Sequence, residues 1–204
     1  MIHTALRFLT DELNSYLRLR LGLAPEDEDK AFLTSVALDS SLIIPHRSLG
    51  VSLINIEEER VFKEQRTMIL NEDDVFEKAN PEIRLNLYVL ISANFQSGEN
   101  EEPDAYEEGL KQLSYAITFF QSRNVFTPAG YPSMVTEDSE LKKLVVELFS
   151  YNFEQLYNFW SVVGASYLPS VLYKVKVVRI RDKQLQDTGA PIERIRINSG
   201  GKDT

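Results

Sequence analysis

Carboxylates are the one reactive group that this chain has in surplus, and they cluster sharply at residues 57–59, three consecutive glutamates after an apolar, β-branched run. If that strand continues, Glu57 and Glu59 share a face and could hold a divalent cation together with waters. The alternative is that these charges discourage edge pairing at the strand end, or pair with Arg60 and Lys63. The pattern favours the alternative and leaves a carboxylate-dependent metalloenzyme as a remoter hypothesis.

The sequence offers few residues for other kinds of catalysis. The 204 residues contain no cysteine and two histidines, His3 and His46, neither of which has a second histidine at ligand spacing. Thiolate metal sites, disulfides and cysteine nucleophiles are therefore impossible. The sequence also lacks a nucleophile elbow, a phosphate-binding loop and a dinucleotide glycine fingerprint. We predict that the chain is not an enzyme and has no catalytic residue, metal site or cofactor.

The charge balance limits the partners. A formal net charge of −9 argues against nucleic acid, whose phosphates are bound by clustered Lys and Arg. The charge is uneven, since residues 99–108 are acidic while residues 174–183 and 194–196 are basic. Opposite patches suit head-to-tail contact between subunits, although solvated charge runs are commoner. With no secretory signal and no apolar run near the ~20 residues of a membrane span, we expect cytoplasmic assembly and no membrane insertion.

Apolar periodicity predicts three helices. The first ends at Gly22, the second begins near Pro103, and the third is capped by Asn152 and ended by Gly164. Their apolar stripes are, in order, Ile2, Ala5, Leu6, Leu9, Leu13, Tyr16 and Leu17; Tyr106, Leu110, Leu113, Ile117 and Phe120; and Phe153, Leu156, Tyr157, Trp160 and Val163.

Alternating patterns predict the strands. The clearest is 82–95, followed by 171–181 with a β-bulge near Val177 and Val178, then 51–57 and 141–149. Residues 32–38 and 42–44 suggest two short strands, and 61–80 suggest a long connection without regular structure. The expected fold is α/β of the α+β kind, a mixed, largely antiparallel sheet with helices against one face. Residues 1–183 form the predicted domain and 184–204 a C-terminal arm.

Aromatic residues are better candidates for function than any ionisable group, because Trp and Tyr dominate interface hot spots, although their helical or alternating spacing favours core membership for most of them. We predict interface residues in two parts of the chain. In the body of the chain these are Trp160, Tyr167 and Tyr173. In the basic strand and the arm they are Arg179, Arg181, Arg194, Ile195, Arg196 and Ile197. We expect the arm to reach a neighbouring subunit, with its isoleucines buried and its arginines facing an acidic surface.

Four segments together resemble a known family. They are MIHTALRFLTDELNSYLRLRLGL, VSLINIEEER, NPEIRLNLYVLISANF and YNFEQLYNFWSVVGASYLPSVLYKVKVVRI. In this order they resemble the tail-terminator or cap proteins of phage-tail-like contractile injection systems, of the antifeeding-prophage and Photorhabdus virulence cassette type. The last segment is the most specific, and the likeness extends from Met1 to about Ile180.

The resemblance implies a structural protein rather than an enzyme. Such a subunit forms a homohexameric ring on the inner tube, at the end far from the baseplate, where it stops tube growth and contacts the last layer of sheath. The family offers no catalytic residues to transfer. The expected partners are further copies of the chain, the inner-tube protein and the sheath protein, in a particle that can be released from the bacterium. A baseplate or tube-initiating adaptor of the same particle is the alternative.

Overall fold

The strand that alternates most regularly in sequence lies at the centre of the fold. In the computed structural model, which describes residues 2–38, 41–59, 68–70, 76–78, 83–95, 105–134, 141–164, 166–180 and 187–189, this strand spans Ile83–Asn94. The helices are α1 (Ile2–Leu21), α2 (Ala105–Ser122) and α3 (Phe153–Val163). The strands are β1 (Ala31–Leu33), β2 (Ala37–Leu38), β3 (Ser41–Leu42), β4 (Ser48–Glu58), β5 (Met68–Leu70), β6 (Phe76–Lys78), β7 (Ile83–Asn94), β8 (Val125–Phe126), β9 (Lys143–Phe149), β10 (Ser170–Ile180) and β11 (Asp187–Gly189).

Six strands form the main sheet, in the order β1-β4-β7-β10-β9-β8. Only the β1–β4 pair is parallel, and the other neighbours are antiparallel. The register between β10 and β7 shifts between Val177 and Ile180, which confirms the predicted bulge. The expected fold class, a mixed and largely antiparallel sheet with three helices, is confirmed over the described residues.

The first face of the sheet packs against α1 and α2. Leu87, Val89 and Ile91 of β7 are at most 4 % exposed and join Leu13 of α1 and Phe119 of α2 in one core. Gly22 ends α1 in the left-handed conformation (φ +67°), as its position in the sequence predicts.

The second face is covered as well, so the expectation of helices against one face was wrong. Leu90 of β7 and Leu172 of β10 point away from the first core and pack with Trp160 of α3, Leu168 and Ile44. Leu90 was the one apolar exception to the alternation in sequence. That exception supplies the apolar contact on which the second layer rests.

Two other expectations need correction. The connection predicted without regular structure contains β5 and β6, and β6 pairs with β11 from the predicted C-terminal arm. This pairing joins segments about a hundred residues apart, so no local pattern could indicate it. Of the short strands predicted within residues 32–44, β1 is confined to Ala31–Leu33, and Ala37–Leu38 pairs with Ser41–Leu42 in a separate hairpin. The division into domain and arm stays a prediction.

Helix α2 is rotated relative to the stripe expected from sequence. Its buried face contains Gly109, Gln112 and Phe119, while Tyr106 and Leu110 are 56 % and 40 % exposed. Gly109 explains the rotation, because a Cβ there would lie 2.8 Å from Cγ and Cδ2 of Phe95. The small residue lets the helix approach the end of β7 closely and turns the larger side chains outward.

We predict that Gly109→Ala destabilises the protein by about 1–3 kcal/mol, because the new methyl group overpacks against Phe95. Helix propensity alone predicts the opposite sign, a gain of about 1 kcal/mol. Urea denaturation measures the free energy of unfolding. Gly130→Ala is the matched control, since the nearest atom to its Cβ is 3.8 Å away. A stabilised Gly109→Ala variant would contradict the close packing of α2.

Candidate protein–protein interface

Both ends of helix α3 are capped by hydrogen bonds. Asn152 Oδ1 accepts a hydrogen bond from the Gln155 backbone N–H (2.8 Å), and Gln155 Oε1 accepts one from the Asn152 N–H (3.1 Å). At the other end Gly164 has φ +68° and its N–H donates to the Trp160 carbonyl. The predicted capping pair and the predicted stop are confirmed. These bonds satisfy backbone groups that a helix otherwise leaves open.

Helix α3 covers little of its own apolar surface. Trp160 is the one buried side chain among its eleven residues. Phe153 is 92 % exposed and Tyr157 is 73 % exposed, one turn apart on the same side of the helix. Val162 is 88 % exposed on another side. Seven of the eleven residues of α3 are aliphatic or aromatic, more than its own packing buries, so α3 has the composition of a helix that another protein covers.

Tyr167 extends this surface towards α2. Its ring contacts Trp160 edge-on, with centroids 5.6 Å apart, and the residue is 58 % exposed. On one side it lines a groove of about 430 Å³ along α3, with Phe153 and Tyr157. On the other side it lines a pocket of about 210 Å³ with Tyr106 and Leu110 of α2. We call Phe153, Tyr157, Tyr167, Tyr106 and Leu110 the aromatic patch.

The patch can bind protein but has no evident catalytic group. Its exposed members are aromatic or aliphatic, the side chains that contribute most at interface centres. Glu154 of α3 and Glu107 of α2, each next in sequence to a patch residue, are exposed. Exposed, contiguous apolar surface with a charged margin is typical of a protein interaction site.

Of the three aromatic interface residues predicted from sequence, one is exposed and two are buried. Tyr167 lies in the patch, whereas Trp160 and Tyr173 are 7 % and 3 % exposed. Burial raises the pKa of Tyr173 well above its usual value, so the hydroxyl stays protonated. Neither the Trp160 indole nitrogen nor the Tyr173 hydroxyl has a hydrogen-bond partner among the described residues.

The remaining predicted interface residues, in the basic strand and the arm, lie wholly or partly outside the described residues. Arg179 lies in β10, with its side chain outside the described part of the structure. Arg181, Arg194, Ile195, Arg196 and Ile197 lie outside the described residues altogether. Their role at an interface, like that of Trp160, Tyr167 and Tyr173, stays a prediction.

Both glutamates of the candidate metal site have partners on the neighbouring strand. The Tyr88 hydroxyl donates to Glu57 Oε2 (2.9 Å), and Asn86 Nδ2 donates to Glu59 Oε2 (3.2 Å). Desolvation and then the bond to Glu57 raise the pKa of Tyr88. Within the described ranges no three acidic or histidine side chains come together as a metal site. The arrangement matches the interpretation of these charges as strand-end groups, so nothing here supports the metalloenzyme hypothesis.

Four of the five residues of the aromatic patch were not predicted from the sequence to be interface residues. Phe153 and Tyr157 were assigned to the apolar stripe of α3, and Tyr106 and Leu110 to that of α2. The available signal was the scarcity of charge on α3, where Glu154 is the only charged residue and seven of eleven residues are aliphatic or aromatic. That composition indicates a helix needing more cover than one sheet face provides.

The family of the chain follows from a comparison with known families. A family model described as the Pvc16 N-terminal domain matches residues 4–194. The chain belongs to this family. The match covers nearly the whole sequence, including the aromatic patch and the long strands. The family resemblance predicted from sequence is therefore confirmed.

One solved structure supports the fold. The chain is similar to the sheath/tube terminator of the extracellular contractile injection system PVC in its extended state, with 12 % identity and a TM-score of 0.55, covering 95 % of this chain and 64 % of that one. It is also similar to the tube-terminating cap of the anti-feeding prophage, with 15 % identity and a TM-score of 0.48, covering 92 % of this chain and 58 % of that one. The chain thus spans less than two thirds of each. No curated protein matches it. Among the described helices none is long and apolar enough to span a membrane.

Because α3 buries a single side chain, we expect its caps to decide whether it stays folded. Asn152→Ala should weaken the helix by about 1 kcal/mol, roughly a fivefold loss of amide protection across Phe153–Val163 in hydrogen exchange. Asn152→Ser is the matched control, since its hydroxyl can still cap the helix. Unchanged protection in Asn152→Ala would show that other contacts hold α3.

Proposed function

We propose that the chain is a structural cap subunit of a contractile injection system, forming a homohexameric ring on the end of the inner tube distal to the baseplate. Family membership over residues 4–194 supports the assignment. The fold shared with a PVC sheath/tube terminator agrees with it. The single observation that makes it physically specific is the uncovered apolar surface of α3, because a ring subunit must present such a surface to a neighbour.

A cyclic ring requires two different surfaces that fit each other. The aromatic patch is one such surface. Phe153 and Tyr157 together offer a large apolar area at a small cost in side-chain entropy, since each has two rotatable side-chain bonds. Glu154 and Glu107, exposed and next in sequence to Phe153 and Tyr106, favour a neighbour that presents basic groups. We assign the patch to the contact between adjacent subunits.

The remaining partners in this proposal are the tube and the sheath. The ring would stop tube growth on one side and contact the last sheath layer around it, within a particle assembled in the bacterial cytoplasm and released outside the cell. No chemical step is required of the chain. Its contribution is shape: a surface that accepts the last tube layer and offers no site for another.

The patch is tested by the paired substitution Phe153→Gln/Tyr157→Gln. Both positions are largely exposed, so we expect the free energy of unfolding to change by about 0.5 kcal/mol or less. If they are interface anchors, each contributes about 2 kcal/mol to association, and the pair should weaken ring formation by at least about a hundredfold. Light scattering measures the mass of the purified protein in solution, which for a hexamer is six times the 23.4 kDa of one chain.

The matched control is Leu19→Gln on α1, which removes an equally exposed apolar side chain (79 %) outside the patch. Because a ring can depend on its tube as template, particles purified from producing cells are imaged as well. The paired variant should give tubes of irregular length without a cap, and Leu19→Gln tubes of normal length. Capped, normal particles in the paired variant would overturn the assignment of the patch. Capped particles in cells lacking the chain would overturn the proposed function.

A further inference from the structure

One edge of the main sheet is only half covered. Strand β9 has seven residues, but its outer neighbour β8 has two and pairs with Leu144 and Val145. The last bond on this side runs from the Val146 N–H to the Asn124 carbonyl (2.8 Å). Because backbone direction alternates along a strand, the N–H and C=O of Leu148 point to the same side as those of Val146. Among the described residues no backbone group pairs with them.

The open edge adjoins an apolar groove. Leu148 is 59 % exposed, and its side chain lies on the same side of the sheet as the buried Leu144 and Val146. It lines a groove of about 400 Å³ with Ile117, Phe120 and Tyr173. Unpaired strand edges normally attract another strand unless charge or a covering segment prevents it. Here the edge continues into a groove that could receive apolar side chains.

The open edge and the groove together define the kind of segment that could bind to β9. A strand added to β9 would place every second side chain in the groove beside Leu148 and the others beside Glu147. Glu147 has a side chain 46 % exposed and is held by Lys176 at 2.7 Å. Opposite charges facing each other across neighbouring strands are stabilising. The matching ligand is therefore an extended segment in which aliphatic and basic residues alternate.

We propose that this edge receives the segment Arg194-Ile195-Arg196-Ile197 of a second copy of the chain. Its isoleucines would enter the groove and its arginines would face Glu147. The segment has the required alternation and lies five to eight residues after Gly189, which gives it a reach of roughly 17 to 26 Å from that residue. The inference gives the proposed ring a second contact and rests on that proposal only in needing another copy.

The path of the chain favours a neighbour over the subunit's own arm. Strand β10 ends at Ile180, and near this end Val178 pairs with Lys143, the first residue of β9. The open edge lies at the opposite end of β9, where Phe149 pairs with Leu172. After β10 the chain returns as β11 to pair with β6, not with β9. The chain therefore leaves β10 at the end of β9 that is remote from the open edge, which favours a neighbour as the source of the segment.

The absence of native cysteine allows a clean cross-linking test. Full-length Leu148→Cys and full-length Ile195→Cys are purified separately, mixed and oxidised. We expect a disulfide-linked dimer containing one copy of each, identified by mass spectrometry, at least tenfold above the Leu19→Cys plus Ile195→Cys mixture. Leu148→Cys combined with Glu147→Lys should reduce the yield, because the arginines then face a positive charge.

The outcomes are distinguishable. A cross-link formed only within the double variant Leu148→Cys/Ile195→Cys, and absent from the mixture, would show that the arm folds back on its own subunit and would overturn the inference. Equal yields with Leu19→Cys and Leu148→Cys would also overturn it. Either result, on protein that still caps tubes, leaves the proposed function standing, whereas a specific cross-link with no capping would refute the function alone.

Discussion

Strand β7 must be buried on both faces, and the rest of the architecture follows from that requirement. One face presents Leu87, Val89 and Ile91, which α1 and α2 cover. The other presents Leu90 among polar residues, with Ser92 fully buried. Sheet faces that include apolar residues are stable only when another layer removes them from water. The chain therefore needs α3 and the segment around Ile44 on the second side, although that side offers much less apolar area.

The two layers consequently differ in strength. The first unites many buried aliphatic and aromatic side chains from α1, α2 and all six strands of the main sheet. The second is a small cluster centred on Trp160, in which α3 buries one large side chain and packs Leu156, Phe159 and Val163 only partly. A weakly buried apolar helix leaves its other sides open to solvent. That imbalance creates the aromatic patch, because the large first core does not extend to the outer side of α3.

The incomplete edge of β9 has a similar origin. Strand β8 is short because the chain leaves α2 directly into it and turns away after Phe126, whose ring is needed in the core near Phe8 and Tyr131. Among the described residues, the remaining length of β9 is paired on one side only, with β10. In this part of the chain the outer face of α3 and the end of β9 are exposed where core packing required the chain to go elsewhere.

The sequence by itself determined the elements whose causes are local. The period of α1, the alternation of β7, the bulge in β10, and the Asn152 and Gly164 ends of α3 depend on neighbours within a few residues, and all were predicted. Family membership could also be read from residue patterns. Tertiary structure alone decided which side chains stay exposed. Tyr106 and Leu110 face outward because Gly109 sits on Phe95, and α3 lies on the second face because Leu90 and Leu172 meet there. Burial depends on residues distant in sequence, so a local pattern shows that a side chain is apolar but not what covers it.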